Sequence, residues 1–175
     1  MKNNPAFWDR VAFLYDSFIK RNKEPYETMY QLLGGALNKE AQVLEVATGT
    51  GVTALRIAHQ VNFVEATDFS GKMIAKAKKK SAPSNVRFSV QDACALPYES
   101  ASFDIVIIAN ALHVMPEAEK ALVNIKRVLK PEGLLIAPNF VQSENYVNRR
   151  VLLRLMLWGA FRSAENGRKK NTYVF

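Results

Sequence analysis

The sequence predicts an α/β fold, a doubly wound and mostly parallel sheet with helices on both faces. Three observations lead there. From residue 42 onward, short apolar segments alternate with helical patterns, as parallel strands joined by crossover helices require. Residues 103–109 (FDIVIIA) form a continuous apolar run, expected of a strand buried on both faces. The 175 residues, 49% hydrophobic and 23% charged, suit one globular domain with a sizeable core.

Residues 5–21 (PAFWDRVAFLYDSFIKR) read as a helix, because Phe7, Val11, Leu14, Tyr15 and Phe18 recur at spacings of three and four. Residues 24–38 read as a second helix, weakened or ended by Gly34-Gly35. The period then changes. Residues 42–47 (QVLEVA) form an apolar strand that runs into Thr48-Gly49-Thr50-Gly51, with a helix to about residue 60. Residues 61–67 are a second strand ending at Asp68, and Ser70 can cap a helix over 71–80. A third strand covers 85–91 and ends at Asp92, and the fourth is the apolar run at 103–109. A helix over about 116–129 leads to a Lys130-Pro131-Glu132-Gly133 turn and a fifth strand at 134–137. A last helix is expected over 144–161, with a basic tail behind it. No repeat or linker divides the chain, so one domain is expected over 1–175. It comprises a helical cover (1–40), a core (41–140) and a C-terminal helix and tail (141–175).

Composition narrows the function classes. One cysteine, Cys94, excludes an intramolecular disulfide and a cysteine-rich zinc site, and reads as a small buried hydrophobe. With only His59 and His113 as histidines, no metal centre is expected. The formal charge of +8 favours anionic partners as a class. The basic segments lack interleaved stacking aromatics, so nucleic acid is not favoured. Lys76, Lys78, Lys79 and Lys80 read instead as cations suited to a helix C-terminus. Charges at Asp9, Arg10, Asp16 and Lys20 interrupt any secretory h-region, and a reduced, cytoplasmic compartment is expected.

In an open parallel sheet the ligand sits beyond the carboxyl ends of the strands. Glu45, Gly49, Gly51, Asp68, Asp92 and Asn110 fall there. The stretch from Gly49 to Ala54 (GTGVTA) fits G-x-G-x-x-G/A between a strand and a helix, a turn that brings backbone close to a ligand. Asp68, 17 positions after Gly51, is placed to accept ribose hydroxyls. These two features leave NAD open. Glu45 pulls the other way, because a carboxylate there suits a ligand ammonium and repels a pyrophosphate. Asp92 could accept from a purine amino group, and a dinucleotide domain needs no helical cover ahead of its first strand.

Residues 43–51 (VLEVATGTG), 66–74 (ATDFSGKMI), 91–98 (QDACALPY), 103–116 (FDIVIIANALHVMP) and 128–136 (VLKPEGLLI) resemble, in order and spacing, the motifs of class I S-adenosylmethionine-dependent methyltransferases. The segment FWDRVAFLYD resembles the entry of the ubiquinone/menaquinone-biosynthesis methyltransferase group, of methyltransferase type 11 style. The resemblance implies a Rossmann-like sheet and S-adenosylmethionine as cofactor, with S-adenosylhomocysteine as product. It implies that Glu45 holds the methionine ammonium, partly through water. Ala47, Thr48, Gly49, Thr50 and Gly51 would then take the methionine part, with Ala47 standing where the family often has glycine. Asp68 would bind the ribose. Phe69 and Met73 would pack beside the adenine, with Asp92 and Ala93 reading its edge. Asn110 and Ala111 would line the floor near the sulfonium. Tyr15 would close the pocket with its ring facing the cation. His113 is the side chain expected to take a proton from a small-molecule acceptor, whereas His59 is expected at the surface.

The family's sheet carries two further strands after the fifth. Here they are expected to be absent, so the chain reads as C-terminally truncated, with an open edge on the fifth strand. The apolar run at 151–161 then predicts homodimerisation through the last helix or the open edge, with peripheral membrane contact as the next option. Three functions follow for testing: methyl transfer to a small-molecule acceptor, a cofactor-binding or assembly domain that no longer turns over, and an NAD-dependent oxidoreductase.

Overall fold

The computed structural model describes residues 5–21, 23–142 and 151–158, with residues 140–142 and 151–158 described by their backbone alone. Helices α1 (Pro5–Arg21) and α2 (Lys23–Gly34) precede β1 (Gln42–Val46). Then come α3 (Val52–Ile57), β2 (Phe63–Asp68), α4 (Gly71–Lys78), β3 (Val86–Val90), β4 (Phe103–Ile107), α5 (Ala118–Val128), β5 (Leu129–Gln142) and β6 (Val151–Trp158). The strands form one sheet in the order β3-β2-β1-β4-β5-β6. The first five are parallel and β6 is antiparallel to β5. The expected five-stranded parallel sheet with helices is therefore present. Its order reverses between β1 and β4, which opens a crevice at their carboxyl ends.

Alternation along β1 builds the two faces. Val43 joins Met29 and Leu33 of α2, Ile57 of α3 and Ile74 of α4 on one side. Leu44 and Val46 join Val106, Ile108 and, from α5, Ile125 and Val128 on the other. Burying each such side chain stabilises by about 1.5–3 kcal/mol, which holds the crossover helices against the sheet. The buried carboxylate of Glu65 on β2 is satisfied by Ser89 Oγ (2.7 Å), Tyr98 OH (2.9 Å) and the Arg87 guanidinium.

Local chemistry explains most boundaries. Ser70 Oγ accepts from Met73 N at 3.1 Å and starts α4. Helix α2 ends at Gly34, short of the expected residue 38, because glycine weakens the helix. The expected Lys130–Gly133 turn survives as an excursion within β5. Phe103 faces Leu129 but Ile105 faces Leu134, so the four residues between leave the ladder. A Cβ at Gly133 would lie 2.7 Å from Leu129 Cδ1, which explains the glycine in that excursion.

One expectation is overturned. The expected helix over 144–161 is a strand where it is described, at Val151–Trp158, paired with β5 from Leu135↔Trp158 to Gln142↔Val151. The run VLLRLMLW is apolar at nearly every position, so its sequence period does not choose between helix and strand. The unpaired N–H and C=O groups along the outer side of β5 decide it, because β6 satisfies them. The edge of β5 is consequently covered, and the fold has one more strand than expected. Residues 143–150 and 159–175, including the rest of that expected helix and the basic tail, lie outside the described residues.

Candidate active site

Four strand ends build the cleft. Val46, Ala47 and Gly49 come from β1 and its loop, and Asp68, Phe69 and Met73 from β2 and α4. Gln91 and Ala93 follow β3, while Ala109, Asn110 and Ala111 follow β4. Trp8 and Tyr15 of α1, with Val114 and Met115, complete the wall. The cleft holds a cavity of about 100 Å³ and opens to solvent at its mouth.

The backbone is strained where it meets this space. Ala47 (φ 56°) and Asn110 (φ 52°) hold left-handed conformations at the ends of the neighbouring strands β1 and β4. Asparagine tolerates that region, whereas alanine there costs about 1–2 kcal/mol. Such strain persists where the surroundings impose it, and it gathers at functional sites. Gly49 (φ 58°) lies under the Tyr15 ring, where an added Cβ would meet Cε1 at 3.1 Å. Gly51 (φ 77°) lies against the Phe88 ring on the core side.

Among the described residues that line the cleft, Asp68 carries the only charge. Its two oxygens accept from Gly49 N and Ser70 N, both at 2.8 Å, so the carboxylate is aimed by backbone. Burial raises its pKa, against the effect of those two N–H groups. Glu45 lies beneath the loop and outside the cleft wall. It is 2% exposed and accepts from Thr48 Oγ1 at 2.6 Å. Burial pushes its carboxyl up to about 8, only partly countered by Thr48, the Ala54 N–H and Thr53. The Tyr15 hydroxyl is raised by burial, by its hydrogen-bonded neighbour Tyr26, and by Asp68 and Glu45.

Of the residues expected in the site, Tyr15, Ala47, Gly49, Asp68, Phe69, Met73, Ala93, Asn110 and Ala111 line one cleft. Thr48, Thr50 and Gly51 build the loop behind it without lining it. Asp92 also stands outside the wall, its carboxylate accepting from Cys94 N at 2.8 Å and so capping the short 3-10 turn Ala93–Ala95. Cys94 is buried, as expected of a small hydrophobe. His113 borders an adjoining groove with Trp8, Tyr15, Tyr26 and Asn110. Its Nδ1 lies 2.9 Å from Asn139 Oδ1. Asn139 Nδ2 donates to the Ala137 carbonyl, which fixes the amide so that Oδ1 faces the ring. In the neutral ring Nδ1 then holds the proton and Nε2 keeps the lone pair.

Sequence reasoning missed several members. Trp8 lay in the quoted FWDRVAFLYD segment but drew no role. Tyr26 exchanges hydrogen bonds with Tyr15 and Asn110, tying α1, α2 and the end of β4 together. Asp16 accepts from Thr50 Oγ1, and Lys76 and Lys80 pair with Asp16. These last two lysines therefore do more than complement a helix dipole. No sequence period announces such contacts, because they join residues far apart in the chain.

A family model described as "Methyltransferase domain" matches residues 44–137, more than half of the chain and the whole cleft-bearing core. The chain belongs to the methyltransferase-domain family. The ubiquinone/menaquinone biosynthesis C-methyltransferase UbiE of Rickettsia massiliae is 36% identical over 121 residues, covering 63% of this chain and 49% of that protein. The chain thus spans about half the length of the curated relatives it matches. Among solved structures, the YcgJ protein of Bacillus subtilis superposes with a TM-score of 0.62 at 28% identity, over 69% of this chain and 54% of that one. The [4+2]-cyclase SpnF superposes with a TM-score of 0.61 at 31% identity, over 67% and 46%. The methyltransferase-domain fold of this chain is shared with both.

Proposed function

We propose that this chain transfers a methyl group from S-adenosylmethionine to a small-molecule acceptor carrying an oxygen, nitrogen or carbon nucleophile. The observation that carries the reading is Asp68, aimed into the cleft by Gly49 N and Ser70 N, with no cation among the described residues that line it. A carboxylate in that position suits ribose hydroxyls. A wall whose described residues include no lysine or arginine suits a ligand bearing ammonium and sulfonium charges better than the pyrophosphate of NAD.

The residues present fit that cofactor. Asp68 would hold the ribose, and Phe69 and Met73 would pack against the adenine beside Ala93. The backbone at Ala47 and Gly49 would receive the methionine part, with Glu45 supplying negative charge from beneath the loop. Tyr15 would cover the cation with its ring. S-adenosylmethionine supplies an activated methyl group, so the protein's task is alignment and the exclusion of water. His113, which borders the adjoining groove, would accept a proton from the acceptor at Nε2. A cytoplasmic setting goes with this reading. The homodimer expected through a last helix or an open β5 edge loses both of those surfaces where they are described, because Val151–Trp158 is a strand and covers β5.

Calorimetric titration with S-adenosylhomocysteine, with NADH as control, tests the cofactor. Saturable binding of the first alone is expected, and saturable binding of NADH would overturn the assignment. Release of S-adenosylhomocysteine across an acceptor panel then separates turnover from binding.

A further inference from the structure

Helix α1 sorts its charges by face. Both of its carboxylates, though partly exposed, are held by neighbouring elements, Asp9 by Ser70 Oγ and Lys72 N, and Asp16 by Thr50, Lys76 and Lys80. Its exposed charges, Arg10, Lys20 and Arg21, are all cationic. Among these cations stand large apolar side chains that a water-facing helix would not need. Phe13 is 72% exposed, and Phe7, Leu14 and Phe18 are each above half. Phe7, Leu14 and Phe18 also rim the groove that leads to His113. Among the described residues no helix is long and apolar enough to cross a membrane.

We propose that the outer face of α1 is a docking surface for an anionic lipid bilayer, with the helix lying in the interface plane. Charge and shape choose this occupant. A helix carrying Phe and Leu among Lys and Arg, its acids held by neighbouring elements, matches an interface where acyl chains meet acidic headgroups. A second copy of this chain packed on the same face across a two-fold axis would gather Arg10, Lys20 and Arg21 of both copies in one interface with no acid turned toward them. A nucleic acid would leave Leu14 and the phenylalanine edges without a stacking groove. In the docked state the mouth of the groove faces the lipid, so an apolar acceptor reaches His113 without crossing water. The docking itself rests on α1 and not on the cofactor assignment.

The test is co-sedimentation of the full chain with phosphatidylcholine vesicles, with and without phosphatidylglycerol, at low and high salt. Binding to the anionic vesicles is expected, and high salt should weaken it. Phe13→Ser, at a residue outside the cleft and the groove, should lower partitioning at least about ten-fold. Arg10→Gln and Arg21→Gln should each lower it about five-fold. Val123→Ser, at an exposed residue of α5, should leave it unchanged. Circular dichroism and thermal melting of every variant verify the fold, and S-adenosylhomocysteine titration can fail or succeed independently of vesicle binding. Absence of sedimentation, equal binding to neutral vesicles, or equal binding by Phe13→Ser overturns the proposal. So does salt-sensitive retention of an oligonucleotide in place of vesicles, or a dimer that Phe13→Ser dissolves.

Discussion

The Thr50 hydroxyl donates to the Asp16 carboxylate at 2.5 Å across 34 positions of chain, joining the glycine loop to the helix that covers it. Lys80 closes the triangle, donating to Asp16 Oδ1 at 3.0 Å and to the Thr50 carbonyl at 2.8 Å. Lys76 adds a bond to the Ala12 carbonyl at 2.9 Å and pairs with Asp16 at 3.3 Å. The loop and its cover thus share one carboxylate.

Asp16→Asn should therefore loosen both. Hydrogen bonds to charged groups contribute about 1.5–3 kcal/mol, reduced here to about 1–2 because the side chain is partly exposed. Thermal melting should fall by roughly 2–6 °C, and S-adenosylhomocysteine should bind several-fold more weakly. Burial alone would raise the Asp16 pKa, but Thr50 and the lysines hold it below the ordinary 3.8. Its contribution is present above that value and is lost as pH falls through the lower folded one. Wild type should lose stability on acidification in a step that Asp16→Asn lacks. Identical melting of the two proteins would mean that apolar contacts alone hold α1.

Glu45 has the opposite sign. Its folded pKa, about 8, lies above the ordinary 4.5, so the folded state holds the proton more tightly. Its contribution is full below about pH 4.5 and declines as pH rises toward 8. A ligand ammonium would draw the carboxyl into its charged form, so S-adenosylhomocysteine binding near pH 7 should release protons. Titrations in buffers of different ionisation enthalpy measure that release. Glu45→Gln should abolish it, flatten the stability profile between pH 4.5 and 8, and weaken binding. Buffer-independent binding heats in wild type would remove Glu45 from the ligand's electrostatics.

Asp68→Ala takes away the acceptor shared by Gly49 N and Ser70 N as well as the expected ribose partner. Loss of a charged hydrogen-bond acceptor, at about 1.5–3 kcal/mol, corresponds to a ten- to hundred-fold drop in S-adenosylhomocysteine affinity. Calorimetry reads this directly. Retention of wild-type affinity would place the ligand elsewhere.

Two of the three left-handed positions of the loop, Ala47 and Gly51, should respond in opposite directions. Ala47→Gly relieves a strained φ of 56° and should stabilise by up to about 1 kcal/mol, after the entropy gained by the unfolded chain. Gly51→Ala combines a φ of 77° with a Cβ 2.5 Å from Phe88 Cε1, and should destabilise by about 2–4 kcal/mol. Urea unfolding of the two variants gives both signs, and a stable Gly51→Ala would show that Phe88 can move aside.

What the sequence determined by itself was local or periodic. Short apolar runs placed β1 to β4, because a strand buried on both faces has little room for polar residues. The glycine pair and Asp68 marked the strand ends, because left-handed turns and carboxylates that accept from loop N–H groups demand particular residue types. Ordered motifs marked the family. Tertiary structure decided the rest. VLLRLMLW suits a helix or a strand equally well by pattern, and the open hydrogen-bonding edge of β5 made it a strand. Asp16, Tyr26 and Lys80 look like ordinary helix residues until α1 and α2 fold over the sheet. Glu45, read as a ligand for an ammonium, turned inward beneath Thr48, because the pleat of β1 sends neighbouring side chains to opposite faces and both faces are covered.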